Sequence, residues 1–492
     1  MHDIAARYDA VLFDLGNTLI EQAQPGVTQD ADAVRFMPGA LHTLDALRGV
    51  VPLGIVSNTT SLMASDIAHA LGEDAERFHV IIATAELGIH KPSPVPLERA
   101  LERLGVAAER TLFVGDSDFD RVAAAAAGID FAWSGVDLSE RFAAAISHGT
   151  ALARARNGHF PLSPVHAEAA RVRLDGLAKP PGSLGRLEDE LCRLAAMRGT
   201  SDPTVDPAAI AVFVADHGIA ADDSVTPWPQ AVTAIMRETI AAQRAAVSVL
   251  ARVADVHIDV TDVGTVPGVP STVRDERIGD GTIDLRVGPA MSRDQALRAL
   301  EIGAATAERL IAGGTRLLAV GEVGMGNTTA AAALIARLCG ADAIAVTGRG
   351  AGIDDATLAR KTGIVADAVA RIPVDADPVD VLAQVGGFEL GAIAGCIIAA
   401  ASVGVPVMLD GVITQSAALV AVELEPRVAP YLIASHSSAE PGSRIALERL
   451  GIRPLLDLSL RLGEGTGAAL AIPLLRATCA AQRDMATIAE LL

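Results

Sequence analysis

Short apolar runs recur along the chain, and each gives way to a small or polar residue before an alanine- and leucine-rich segment begins. In the first third, residues 10–14, 52–57, 80–83 and 111–115 have the length and composition of buried strands. Residues 39–47, 97–104 and 121–127 carry apolar side chains at helical spacing between them. Regular alternation of strand and helix predicts a parallel sheet covered on both faces. A stretch rich in Gly, Pro, His and Arg, residues 147–164, reads as a linker. Beyond it a mostly helical opening runs to about Arg198, and strands are predicted at 209–215, 257–263, 316–320, 343–346, 405–409 and 431–434. The expectation is an α/β protein with a first domain over 1–146 and a second, larger one over 165–492.

One apolar span has the length of a membrane helix. Residues 390–409 carry no charge, but Gly391, Gly395, Gly404 and Pro406 interrupt them. That pattern fits a buried helix to Ser402 followed by a strand. The N-terminal residues lack the apolar core of a signal peptide. The net charge of −20 and an aromatic content of 3% leave neither basic surface nor stacking platform for a nucleic acid. Four cysteines without C-x-x-C spacing indicate a reducing, cytoplasmic setting and no thiolate metal site. Only three of the 40 basic residues are lysine: Lys91, Lys179 and Lys361. In so biased a chain they mark positions that need a compact ammonium.

Gly321-Glu322-Val323-Gly324-Met325-Gly326-Asn327-Thr328-Thr329 lies between a predicted strand and a predicted helix. Glycines there let backbone N–H groups approach an anion, and the helix start adds partial positive charge. Asn327 stands where a triphosphate-binding loop has lysine, so a monophosphate is the better ligand. Gly348-Arg349-Gly350-Ala351-Gly352 supplies a second glycine turn with an arginine. Glu464 sits between Gly463 and Gly465 at another helix start, beside apolar residues that would raise its pKa toward that of a usable base. A helix-terminal carboxylate is the plainer alternative. Trp228, in Thr226-Pro227-Trp228-Pro229-Gln230, and Met325 offer an apolar slot for a flat ring. His217 reads as a structural residue at a strand end.

In the first domain Asp14, Ser57, Lys91 and the pair Asp116 and Asp120 follow the predicted strands in order. Carboxylates near one point suit Mg²⁺, and a hydroxyl and an ammonium suit a transferring phosphoryl group. This series resembles the haloacid dehalogenase-like phosphohydrolase superfamily. The resemblance implies Asp14 as nucleophile, Ser57 and Lys91 as phosphate binders, and Asp14, Asp116 and Asp120 around Mg²⁺. Gly16 departs from it, because the superfamily's phosphatases carry an acid/base aspartate there. The gap from Thr18 to Pro38 is also too short for a large cap.

The second domain resembles the nicotinate-nucleotide–dimethylbenzimidazole phosphoribosyltransferase family through residues 179–188, 215–218, 321–329, 348–355, 386–389, 409–411, 435–436 and 461–467. That implies transfer of phosphoribose from nicotinate mononucleotide to 5,6-dimethylbenzimidazole without a cofactor, by a homodimer. Glu464 would be the base, Glu322 a second carboxylate, and Gly324, Met325, Gly326, Asn327, Thr328, Gly348, Arg349, Gly350, Trp228 and Gln230 the substrate contacts. Gln243-Arg244, Trp228 and Ser443 depart from the family pattern. Together the readings predict two doubly wound, Rossmann-like sheets, the second with a small added helical subdomain. The function expected is a transferase fused to a phosphatase for its product. The rivals are a transferase with an inert docking domain, a nucleoside-triphosphate enzyme opposed by Asn327, and a diphosphoribose-dependent transferase suggested only by Asp259 and Asp262.

Overall fold

The computed structural model describes residues 8–16, 18–20, 35–37, 40–134, 150–222 and 224–492. Asn17, most of the span from Thr18 to Pro38 and the start of the expected linker lie outside them. Two compact units divide the chain, Met1–Ala153 and Arg154–Leu492.

The smaller unit contains five parallel strands: β1 (Ala10–Phe13), β2 (Leu53–Ser57), β3 (Val80–Ala83), β4 (Thr111–Gly115) and β5 (Asp130–Trp133). Their order is β3-β2-β1-β4-β5. Val11, Phe13 and Ile55 face one apolar cluster, while Leu12, Val56 and Phe113 face the other. A sheet buried on both faces explains why its strands read as unbroken apolar runs. β5 was not predicted, because Asp130 opens it directly after a helix ending at Gly128.

The larger unit carries β6 (Ala208–Ala215), β7 (His257–Gly264), β8 (Arg274–Asp275), β9 (Leu317–Val323), β10 (Val407–Leu409) and β11 (Leu432–Ala434). Their order is β11-β10-β9-β6-β7-β8. A separate parallel pair joins β12 (His436–Ser438) and β13 (Leu456–Leu460). The chain winds outward from β6 through β7 to β8, returns to place β9 against β6, and continues the other way. The switch point between β6 and β9 is where doubly wound sheets open a crevice for ligands. The helical addition is formed by Pro164–Asp175 and Arg186–Arg198. It shares the sheet's core: Leu174, Leu191 and Leu194 pack with Ile210, Val212 and Leu475.

Most of the charge-free span lies in a helix, Phe388–Ser402, with every residue buried, and its end forms β10. Gly395 lies so close to the Leu300 carbonyl of helix Arg293–Ala312, and Gly303 to that of Ala392, that a Cβ at either would overlap backbone. Glycine is therefore the residue that lets these two helices meet. No helix among the described residues is long and apolar enough to cross a membrane. Two expectations change. Ala343–Val346 is a short helix with Ile344 exposed, off the sheet, because β9 already has β6 and β10 as neighbours. Gly321, Glu322 and Val323 belong to β9, so the glycine loop begins only at Gly324.

Candidate active sites

In the larger unit a cavity of about 690 Å³ opens beyond the carboxyl ends of β6, β9, β10 and β11. Glu322, Gly324, Met325, Gly326, Asn327 and Thr328 form one wall, with Gly350 beside them. Glu464 and Arg461 line it from the loop after β13, and Trp228 and Met236 from the segment after β6. Trp228 is half exposed at the rim.

Glu464 is held in an unusual way. Its φ is +65°, and Gly463 and Gly465 on either side are also left-handed, at +87° and +94°. A non-glycine residue in that region carries strain of roughly 1–2 kcal/mol. The turn can lie where it does because Gly321, in β9, has no side chain. A Cβ at Gly321 would stand 2.5 Å from the Glu464 carbonyl oxygen and 2.8 Å from the Gly465 nitrogen. Asp410, after β10, anchors the far side of the turn by accepting from the N–H groups of Gly465 (3.1 Å), Gly467 (2.7 Å) and Ala468 (3.2 Å). The Glu464 carboxylate accepts from the Val247 N–H at 3.4 Å. Burial pushes its pKa above the usual carboxylate value, and that single N–H pulls weakly the other way.

Glu322 is fully buried and accepts from the Asn327 side-chain amide. Burial first, then the charges of Asp410, Glu389 and Glu464, raise it well above the ordinary range. Burial raises Asp410 to about 7 against three backbone donors. His436, on the cavity wall, is pushed down to about 4 by burial and stays a neutral imidazole. His217 is buried with its Nε2 2.7 Å from Glu389, packed beneath Gly324 and Gly326. The pair lies under the loop, at the end of β6.

Three expected contacts lie elsewhere. Arg349 turns to the Ile353 carbonyl (2.8 Å) and to Asp355, outside the cavity lining. Arg461 is the arginine at the cavity instead. Gly348 is covered by the Glu440 carboxylate, and Gln230 donates to the His217 carbonyl at 3.0 Å. Sequence reasoning gave no role to Asp410, His436, Ser438 or Glu440. Lys361, flagged by scarcity alone, is fully buried and donates to Thr328 Oγ1 at 2.8 Å and to the Gly348 carbonyl at 3.1 Å.

In the smaller unit the switch point between β1 and β4 brings Asp14, Asp116 and Asp120 together, with one carboxylate oxygen from each within 4.8 Å of the others. An all-oxygen donor set of this kind fits Mg²⁺. Lys91 Nζ lies 2.6 Å from Asp14, 2.5 Å from Asp120 and 2.9 Å from the Val56 carbonyl. Asn58 holds the Lys91 backbone through both its N–H and its carbonyl. Ser117 donates to Asp120 from its hydroxyl at 2.6 Å. Burial outweighs the attraction of Lys91 and lifts Asp14 to about 6. Ser57 ends β2, buried.

A doubly wound sheet whose switch point carries glycine turns and a buried carboxylate is the layout of a group-transfer enzyme. Residues 160–491 match the phosphoribosyltransferase family model, and the chain belongs to that family. Residues 23–128 match haloacid dehalogenase-like hydrolases, a span that holds Ser57, Lys91, Asp116 and Asp120 but begins after Asp14. The nicotinate-nucleotide–dimethylbenzimidazole phosphoribosyltransferases of Chloroflexus aggregans and Roseiflexus sp. are each 45% identical over 333 residues, covering 67% of this chain and 94% of theirs. A crystal structure of CobT from Thermus thermophilus is 45% identical with a TM-score of 0.64, covering 66% of this chain and 98% of that one.

Proposed function

We propose that the larger unit transfers phosphoribose from nicotinate mononucleotide to 5,6-dimethylbenzimidazole, giving nicotinate and α-ribazole 5′-phosphate for the lower ligand of cobalamin. The observation that carries this is Glu464, a strained and buried carboxylate on the wall of a cavity shared with glycine turns. The names of the relatives supply the substrates. A benzimidazole nitrogen attacks the sugar's C1 as the bond to nicotinate breaks, and that bond's electron pair returns to the pyridine nitrogen. Glu464 takes the proton from the other benzimidazole nitrogen. Glu322, pushed well above the ordinary range by burial and neighbouring charges, stands beside it as a second carboxylate. Attack from the face opposite nicotinate inverts C1 and gives the α linkage. Trp228, Met236 and Met325 hold the flat base, and the loop from Gly324 to Thr328, backed by Lys361, holds the phosphate and so positions C1. Mixing the protein with both substrates and finding no mass for α-ribazole phosphate would end this reading.

For the smaller unit we propose a phosphomonoesterase acting on that product. Asp14, Asp116 and Asp120 would hold Mg²⁺, which when bound neutralises phosphoryl oxygens. Asp14 is the nucleophile, and Lys91 steadies it. Replacing Asp14 by Asn leaves α-ribazole phosphate formation intact and abolishes phosphate release; equal release by both proteins refutes it. Gly16 favours a second reading, a unit that binds without hydrolysing, since no carboxylate stands there to protonate the leaving alkoxide. Release of phosphate from simple esters with Mg²⁺ separates the two.

A further inference from the structure

The glycine turn after Gly348 already holds an anion, and it is the protein's own. Glu440 Oε1 accepts from the Gly350 N–H at 2.9 Å. The other carboxylate oxygen lies against Gly348, where a Cβ would collide with it. Gly350 is left-handed, at a φ of +51°, which aims its N–H inward as in anion-binding turns. Two cations flank the turn itself. Lys361 is fully buried behind Thr328, and its attraction to Glu440 opposes the burial that lowers its pKa to about 8. Arg461 reaches the Gly350 carbonyl at 3.4 Å. Glu440, Gly350, Thr328 and Arg461 all line the cavity. A backbone N–H, a hydroxyl, an ammonium and a guanidinium are the partners that a phosphomonoester needs. Glu440 has taken the N–H and offsets the charge of Lys361.

We propose that Glu440 is an internal competitor for the phosphate of the ligand. Its carboxylate, on three rotatable bonds, sits in the turn and gives way when a phosphomonoester enters. The inference rests on the reading that donor and product both carry a 5′-phosphate in this cavity. Because the group is the same in both, competition weakens donor and product equally. Weakening that is uniform along the reaction does not slow the chemical step, and it shortens the stay of the product.

The test is Glu440→Gln in the full chain. Glutamine keeps the length and an amide oxygen for the Gly350 N–H but removes the charge. KM for nicotinate mononucleotide and the inhibition constant of α-ribazole phosphate should both fall, by a common factor of roughly tenfold. Inorganic phosphate, titrated calorimetrically, should tighten to a similar extent. Inhibition by nicotinate riboside, which lacks the phosphate, should not change. A KM that rises or stays constant overturns the proposal, as does unchanged phosphate affinity. Where wild-type protein shows no ribosyl transfer, the functional reading fails while the phosphate titration still decides the role of Glu440. Glu440→Asp, one methylene too short to reach Gly350, should shift phosphate binding in the same direction. It serves if the glutamine variant does not fold.

Discussion

Replacing the proposed base by glycine should make the protein more stable while stopping the reaction. Glu464 has a φ of +65°, a region that costs a side-chain-bearing residue roughly 1–2 kcal/mol. Glu464→Ala and Glu464→Gln keep that strain, and Glu464→Gly removes it. Glycine also frees the unfolded chain, which returns roughly 0.5–1 kcal/mol. The glycine variant should therefore exceed the alanine variant by about 1 kcal/mol. At roughly 2.1 cal/mol/K per residue over the larger unit, that is a Tm difference of about 1–2 °C, best read together with chemical denaturation. The glutamine variant isolates the charge. Because the folded-state pKa of Glu464 is raised, the folded protein holds its proton at pH values where the unfolded chain has lost it. Wild-type stability thus falls as pH rises from the ordinary carboxylate value through the raised one, and Glu464→Gln lacks that slope. All three variants should lose about 10²–10⁴ in kcat if the carboxylate is the base. A glycine variant that melts below the alanine variant, or any of the three turning over at the wild-type rate, refutes the reasoning.

Three further outcomes are expected. Gly321→Ala puts a methyl 2.5 Å from the Glu464 carbonyl oxygen, so the turn must shift; kcat should drop about a hundredfold, and an unaltered kcat would show that the base tolerates displacement. Lys361→Met keeps the buried stem but removes the charge behind Thr328; KM for nicotinate mononucleotide should rise at least tenfold with kcat nearly kept, and an equal loss in kcat would place the ammonium in the chemistry instead. The pH profile of kcat/KM should rise through a value above the ordinary carboxylate range, since Glu464 must be ionised to accept a proton and burial raises it; a profile flat across that range excludes Glu464 as the base.

The strands were legible because both sheets are buried on two faces, so their residues form apolar runs with a polar residue where the strand meets its crevice. Asp14, Ser57 and Asp116 follow that rule, and so does Asp216. Lysine scarcity carried real information: Lys91 and Lys361 are buried against named acceptors, and Lys179 pairs with the buried Glu188 at 2.8 Å. Composition misled where a strand broke its own rule. β9 contains Gly321 and Glu322, which read as a loop. They are tolerated because Asn327 satisfies the carboxylate and the turn at Glu464 needs the missing side chain. Asp410 and Glu440 had no local signature, since the backbone groups they hold lie 55 and 90 residues away in the chain. Long-range satisfaction of backbone donors is invisible to any window of sequence. Arg349 was chosen for its neighbourhood, yet Asp355, six residues on, captures its guanidinium.

The crowding of acids bears on the choice of Glu464 as the proposed base. The charges of Asp410, Glu389 and Glu464 add to the burial that raises Glu322, and that of Glu464 adds to the burial that raises Asp410. Glu389 has the His217 ring as a partner at 2.7 Å, and His217 is itself raised by that pairing despite its burial. Asp410 has three backbone donors and still titrates only at about 7. Glu322 has one amide donor, and burial and the charges of three neighbours push it well above the ordinary range. Burial raises Glu464 as well, against the single N–H of Val247. Its hydrogen bond from the Val247 N–H is long, at 3.4 Å, so the carboxylate is available to the cavity that it lines. The left-handed turn between two glycines keeps that carboxylate on the cavity wall, where a helical backbone at the same position would place it within the first turn of helix Thr466–Asp484. On the proposed reading, strain in the backbone and burial of the carboxylate serve one end: a base lifted above the ordinary carboxylate range and set on the cavity wall.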